Sequence, residues 1–215
     1  MTDSSHKKHR TRRWGIWLLV TAAVLCQAGY WVTRPQSPRT TKTLELKCTL
    51  SADKSAYTVG EVPEISVRLK NPSHRALPMA GSLDGSDCLM RFPYCYFEIT
   101  GPDGRRVDKG TIRCGSMVPL RQEDFVLVKP GEEFDPYDTS KGYYPSYQIS
   151  KETFDRPGAY RLVFVYRAQS WKMVEWLGDG IWDWEKNKDE RLRRLIKEAT
   201  PFYAKSNKLV LTFSK

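Results

Sequence analysis

Histidine is scarce in this chain, and its scarcity removes several classes of chemistry at once. Three histidines occur in 215 residues, and two of them, His6 and His9, precede the first hydrophobic stretch. Only His74 remains for everything after residue 43. Zinc sites built on two or three histidines, and the HExxH arrangement, need more imidazoles than that. A serine or cysteine nucleophile activated by histidine would have to use His74. That residue follows Asn71-Pro72-Ser73, a turn signal, and no GxSxG occurs anywhere. His74 therefore reads as a surface residue. CxxC, GxGxxG and Walker A patterns are also missing, which leaves no signature for dithiol redox chemistry, dinucleotide binding or phosphate cradling. No cofactor is expected.

Charge is unevenly placed. The formal net charge is +10, from 35 Lys/Arg and 25 Asp/Glu. Residues 1–42 carry eight of the basic residues and one acid, leaving 27 basic and 24 acidic side chains for the other 173 positions. A nucleic-acid-binding domain keeps its basic excess on the folded part, so no nucleic-acid partner is expected. The excess instead flanks Trp14–Val32, a stretch of 19 residues without a charge. At 1.5 Å per residue such a helix just spans a hydrocarbon core of about 30 Å. Trp14 and Trp17 mark one end and Tyr30 and Trp31 the other, as interfacial aromatic belts do. Five Lys/Arg between Lys7 and Arg13 orient residues 1–13 to the cytoplasm and the remainder outside. An uncleaved anchor in the cytoplasmic membrane is the leading reading. A cleaved signal peptide, with Cys26-Gln27-Ala28 as its cleavage site, is second, and would give a secreted protein. Lipidation at Cys26 is disfavoured by bulky Val24 and Leu25. Residues 33–43 are polar, contain two prolines, and read as a linker.

Beyond the linker the pattern is β. Period-two alternation with turn residues between runs gives strands over 44–50, 57–61, 64–70, 94–100, 124–128, 159–167 and 209–213. Gly101-Pro102-Asp103-Gly104 predicts a hairpin between 94–100 and 105–108. Short strands at this spacing predict an all-β, antiparallel sandwich over 44–215. Residues 171–205 break the pattern as an insertion before the last strand. Within it, Leu192, Leu195, Ile196 and Ala199 lie on one helical face, with Asn187 as the expected cap and Pro201 as the stop.

Four motifs carry a resemblance: Tyr57-Thr58-Val59-Gly60-Glu61, Leu69-Lys70-Asn71-Pro72-Ser73, Lys129-Pro130-Gly131-Glu132, and Pro157-Gly158-Ala159-Tyr160-Arg161-Leu162. Together they resemble exported bacterial immunoglobulin-like modules, including the sandwich of proteinase-inhibitor-like domains. The resemblance implies an immunoglobulin-like fold and a bacterial envelope setting. The motifs mark turns and strand starts, so they speak for fold and hardly for function. No tryptophan lies between Val32 and Ser170, so the Cys…Trp…Cys pin of antibody domains is absent.

Candidate functional residues follow from exposure, chemistry and clustering. Trp171, Trp176, Trp182 and Trp184 fall within fourteen residues. They either seal the sandwich or form an aromatic surface for a protein, glycan or membrane partner. Cys48, Cys88, Cys95 and Cys114 are candidate disulfide cysteines in an exported domain, with a bridge among the last three the first choice. Buried thiols are the alternative. Asp84-Gly85-Ser86-Asp87 has the look of a calcium-loop fragment but lacks the closing glutamate, and reads as a turn. Glu132, Glu133, Asp135 and Asp138 cluster after a Pro-Gly turn. A carboxylate-dependent hydrolase needs such acids facing each other across a cleft; a charged loop is the simpler reading. The resulting expectation is a non-catalytic, membrane-tethered binding or scaffolding module outside the cytoplasm. An envelope proteinase inhibitor and a carboxylate hydrolase are the alternatives.

Overall fold

The computed structural model describes residues 44–107, 120–168, 175–176, 189–199 and 202–215. The hydrophobic segment Trp14–Val32, the 33–43 linker, Cys114, Trp171, Trp182, Trp184 and Asn187 lie outside the described residues. Among the described residues, no helix is long and apolar enough to cross a membrane. The region is mostly β, arranged in several sheets with one α-helix.

One strand organises the rest. β9 (Gly158–Ala168) is eleven residues long, and its sequence GAYRLVFVYRA is dense in aromatic and β-branched residues. Tyr160, Leu162, Phe164, Tyr166 and Ala168 alternate onto one face and are buried. One edge of β9 pairs with β6 (Tyr94–Thr100), antiparallel, from Tyr94↔Arg167 to Thr100↔Arg161. The other edge is shared. β10 (Phe202–Lys205) covers Val165–Ala168, and β11 (Leu209–Ser214) covers Gly158–Leu162. Two short strands complete this sheet, β1 (Leu44–Glu45) beside β10 and β3 (Ala56–Thr58) beside β11. Both of these edge pairings are parallel, so the expected purely antiparallel arrangement is corrected at the sheet's margin.

A second sheet runs β2–β4–β8, from β2 (Lys47–Ala52), β4 (Ile65–Lys70) and β8 (Glu133–Phe134). The chain changes sheets between β1 and β2. Cys48 still bridges to Ser206, and the Asn207 amide fits against Leu50, accepting from its N–H (2.8 Å) and donating to its carbonyl (3.0 Å). β5 (Leu77–Ala80) and β7 (Phe125–Val128) form a separate antiparallel pair. The inward faces of all three sheets feed one hydrophobic cluster. Aromatic rings fill it: Phe213 stacks on Phe154 at 4.7 Å and meets Tyr160 edge-on at 5.3 Å, and Phe97 packs on Phe164 at 5.3 Å.

Polar groups close the ends of β9. The Tyr160 hydroxyl turns back onto Arg156, accepting from its N–H and donating to its carbonyl, each at 3.2 Å. The Tyr166 hydroxyl reaches across to the β5–β7 pair and donates to the Ala80 carbonyl at 2.9 Å. On the edge of β6 away from β9, the Gln148 side chain covers Phe97. Its oxygen accepts from Phe97 N–H at 2.6 Å and its amide donates to Phe97 O at 3.0 Å. A side-chain amide thus stands in for a neighbouring strand and blunts an otherwise open edge.

The helix α1 spans Glu190–Glu198, and its cap is Asp189, whose carboxylate accepts from Leu192 N–H at 3.0 Å. The expected cap, Asn187, is two residues too early. Asp189 also accepts from Gln122 at 2.6 Å, which ties the helix start to the 3₁₀ turn Gln122–Asp124. Leu192, Ile196 and Ala199 are buried, and the helix packs on β5. The insertion is shorter than expected. Phe202–Lys205 is not part of it but is β10, a member of the large sheet. The expected second hairpin strand is present as a single bridge, Thr100↔Arg106, supported by Val107 N–H to Ile99 O at 2.8 Å.

The Tyr160 hydroxyl gives a test of this arrangement. Y160F removes one donor and one acceptor while keeping the ring contacts, and costs about 1–2 kcal/mol in urea unfolding. A V210T control on the solvent side of β11, where Val210 is 47% exposed, stays within about 0.5 kcal/mol of wild type.

Candidate functional site

The residues singled out from sequence are dispersed by the fold. Trp176 is 0% exposed, stacked on Phe92 at 5.7 Å and Phe125 at 6.3 Å. It is a core residue, so the expected aromatic surface loses it. Its three companions lie outside the described residues. His74 is exposed beside a turn held by the buried Asn71 side chain. Asp84–Asp87 forms a turn in which Ser86 Oγ accepts from Leu83 N–H at 2.9 Å. Among the described residues, no group of His, Cys, Asp or Glu is placed to hold a metal ion. The acids after Pro130 serve local structure. Glu132 accepts from Lys129 N–H at 2.9 Å, Asp135 accepts from Tyr137 N–H at 2.9 Å and pairs with Arg68, and Asp138 accepts from Ser140 N–H at 3.0 Å. The bond to Ser140 holds the Asp138 carboxyl below its ordinary range.

No disulfide joins two described cysteines, so the expected bridge does not form between Cys88 and Cys95. Cys95 is buried on β6 opposite Tyr166. Cys48 bridges to Ser206, on the far side of β9 from β6. Burial pushes the Cys48 thiol up to about 12 and Cys95 well above its ordinary value, so both stay protonated and unreactive at neutral pH.

The structure instead draws attention to the loop between β5 and β6, residues 81–93. It is clamped against residues 143–150. Gly81 lies flat under Tyr143, and a Cβ there would fall 2.3 Å from that ring. Ser82 N–H donates to Pro136 O at 2.6 Å, Tyr144 N–H to Ser82 O at 2.7 Å, and Tyr147 N–H to the Asp87 carboxylate at 3.2 Å. On this base the loop tip carries Leu89 and Met90, 48% and 50% exposed, with Tyr144 and Tyr147 exposed on the facing loop. Leu89 has φ +58°, the only left-handed non-glycine among the described residues. A branched side chain held there costs about 1–2 kcal/mol, a form of strain concentrated at functional loops.

Directly after this exposed pair comes Arg91, which is 2% exposed. Its neighbour Phe92 is held by N–H donation to Glu175 O at 2.9 Å and lies under Trp176. Among the described residues, no hydrogen bond reaches Arg91 Nε or Nη1. Burial lowers the pKa of its guanidinium, against the fields of Asp124 and Asp84, which support the charge, while Arg121 opposes it. The Asp124 carboxylate is engaged elsewhere, accepting from Arg121 N–H at 2.7 Å and from its guanidinium at 3.2 Å. Nε–H and the two Nη1 hydrogens make three buried donors without acceptors. A buried charge in that condition costs several kcal/mol. Sequence patterning passed over Arg91 because a charged residue reads as surface. The available signal was its place inside Leu89-Met90-Arg91-Phe92-Pro93, a charge among four apolar residues.

No protein-family model matches this chain, and comparison with curated proteins and with solved structures finds no match. The site is therefore read from its own geometry.

Replacing Arg91 by a neutral side chain of similar length discriminates between a structural and a binding role. R91M raises stability by about 1–3 kcal/mol in denaturant unfolding, because it removes a buried guanidinium with unsatisfied donors. Destabilisation of that size or more would mean that the guanidinium is held by interactions the fold needs.

Proposed function

We propose that this chain is a membrane-tethered, extracytoplasmic binding module built on an immunoglobulin-like sandwich, and that the 81–93 loop is its contact surface. The tether rests on the uncharged Trp14–Val32 stretch and the basic residues before it. Strand order supports the sandwich. One layer runs β2–β4–β8, and the other runs β6–β9–β11–β3 with the first-strand extension β3 parallel to the last strand. The hydroxyl of Tyr160, near the start of β9, bonded back to Arg156, has the form of a tyrosine corner, a hallmark of this architecture. In such modules the loops at the ends of the layers do the binding, while the sheets hold them.

The observation that carries the functional reading is the strained, exposed Leu89–Met90 tip on a loop otherwise fixed by backbone hydrogen bonds. Two adjacent apolar side chains presented to solvent on a rigid base match an interface anchor, and such anchors carry most of an interface's affinity. The local hydrogen-bonding roles of Glu132, Asp135 and Asp138 favour binding over carboxylate hydrolysis.

Proximity labelling from the C-terminal end of the full-length chain in its native membrane tests this. L89D/M90D reduces labelling of the principal neighbour at least tenfold while the domain's unfolding midpoint is preserved. An unchanged neighbour set in that folded variant overturns the assignment of the loop.

A further inference from the structure

Arg91 follows the exposed tip of the loop directly in the chain, so a buried charge and two exposed apolar side chains belong to consecutive residues. The Arg91 side chain is buried, its Nε and Nη1 have no acceptor among the described residues, and the backbone two residues before it passes through a left-handed leucine. An arrangement of this kind is favourable only when something else supplies the missing acceptors. Water supplies acceptors but no countercharge. An oxyanion supplies both, and arginine is the side chain best matched to one.

We propose that Arg91 receives the carboxylate of a ligand whose adjoining apolar group rests on Leu89 and Met90. This deepens the reading of the loop as a contact surface and depends on it. Displacing the Leu89–Met90 tip uncovers the residue that follows it and lets Leu89 leave its strained conformation. The carboxylate then accepts from a guanidinium that has lost its solvation without gaining a partner. A monoanion fits better than a phosphate. Asp84 and Asp124 already place negative charge around Arg91, and the one further cation there, Arg121, is paired with Glu123 and Asp124, so a second charge on the ligand adds repulsion. The apolar tip accounts for the second half of the ligand, because a hydrophilic anion alone would gain nothing from two exposed aliphatic side chains.

Thermal unfolding of the full-length chain in detergent micelles provides the test. The probes are N-acetyl-leucine, N-acetyl-leucinamide, sodium acetate and inorganic phosphate, each against sodium chloride at matched ionic strength. N-acetyl-leucine raises the midpoint by about 3–6 °C at ten times its Kd, and the shift grows with the logarithm of its concentration beyond that. Acetate acts at least tenfold more weakly, and the amide gives no shift. R91M abolishes the response, and R91K, which keeps charge but loses the planar fork, weakens it at least tenfold. Equal responses to acid and amide, a response that survives in R91M, a response to phosphate alone, or no response to any probe would each overturn the proposal. The two readings separate cleanly. If L89D/M90D loses its labelled neighbour while R91M keeps it, the loop remains a contact surface and the carboxylate site is discarded.

Discussion

The structure depends on β9 being saturated along both edges. Few strands carry three hydrogen-bonded neighbours, and β9 does so because its eleven residues let β10 and β11 divide one side while β6 takes the other. Once that register is set, the inward faces of Tyr160 through Tyr166 are fixed, and with them the aromatic packing around Phe213, Phe154 and Phe97. A slip of one residue would turn each of these side chains to the opposite face. The two tyrosine hydroxyls act as stops at either end, one on Arg156 and one on Ala80.

The loop that bears Arg91 inherits its position from this frame. Ala80 is the last residue of β5, and the bond from Tyr166 pins it. Gly81 follows with no room for a side chain, because Tyr143 lies against it. The loop therefore leaves the core in a fixed direction and returns at Phe92 under Trp176. A rigid base with a strained tip and, next to it in the chain, a buried guanidinium with unsatisfied donors is the combination expected where a fold gives up stability for binding. The large aromatic core is what makes that concession tolerable.

Sequence patterning reads the long strands well. Ile65–Lys70, Tyr94–Thr100, Gly158–Ala168 and Leu209–Ser214 each alternate cleanly or begin at a Pro-Gly or polar turn, and period two with turn chemistry is a local signal. The strands that escape it lack alternation. β5 is Leu-Pro-Met-Ala with all four residues buried, and its proline argues against a strand. β8 is two residues long, and β10 follows directly on a helical segment. The parallel edges are non-local facts that no window of sequence contains. The candidate site was less legible than the fold. Trp176 was noticed for its ring and proved to be a core residue, whereas Arg91 was passed over for its charge. Burial is decided by tertiary contacts, and Arg91 is buried where Asp124 and Arg121, some thirty residues on, come close enough to bear on its charge, which no local pattern reveals.

The site stands on Arg91 Nε and Nη1 being buried with no acceptor among the described residues in the absence of a ligand. Nitrogen-15 NMR of the arginine side chains reads this directly, with the Arg91 Nε–H resonance assigned by its loss in R91K. The account expects a proton shift in the range of groups without a hydrogen bond, moving downfield only when a carboxylate is added. A strongly downfield, slowly exchanging Nε–H in the ligand-free protein, unmoved by carboxylates, would contradict it.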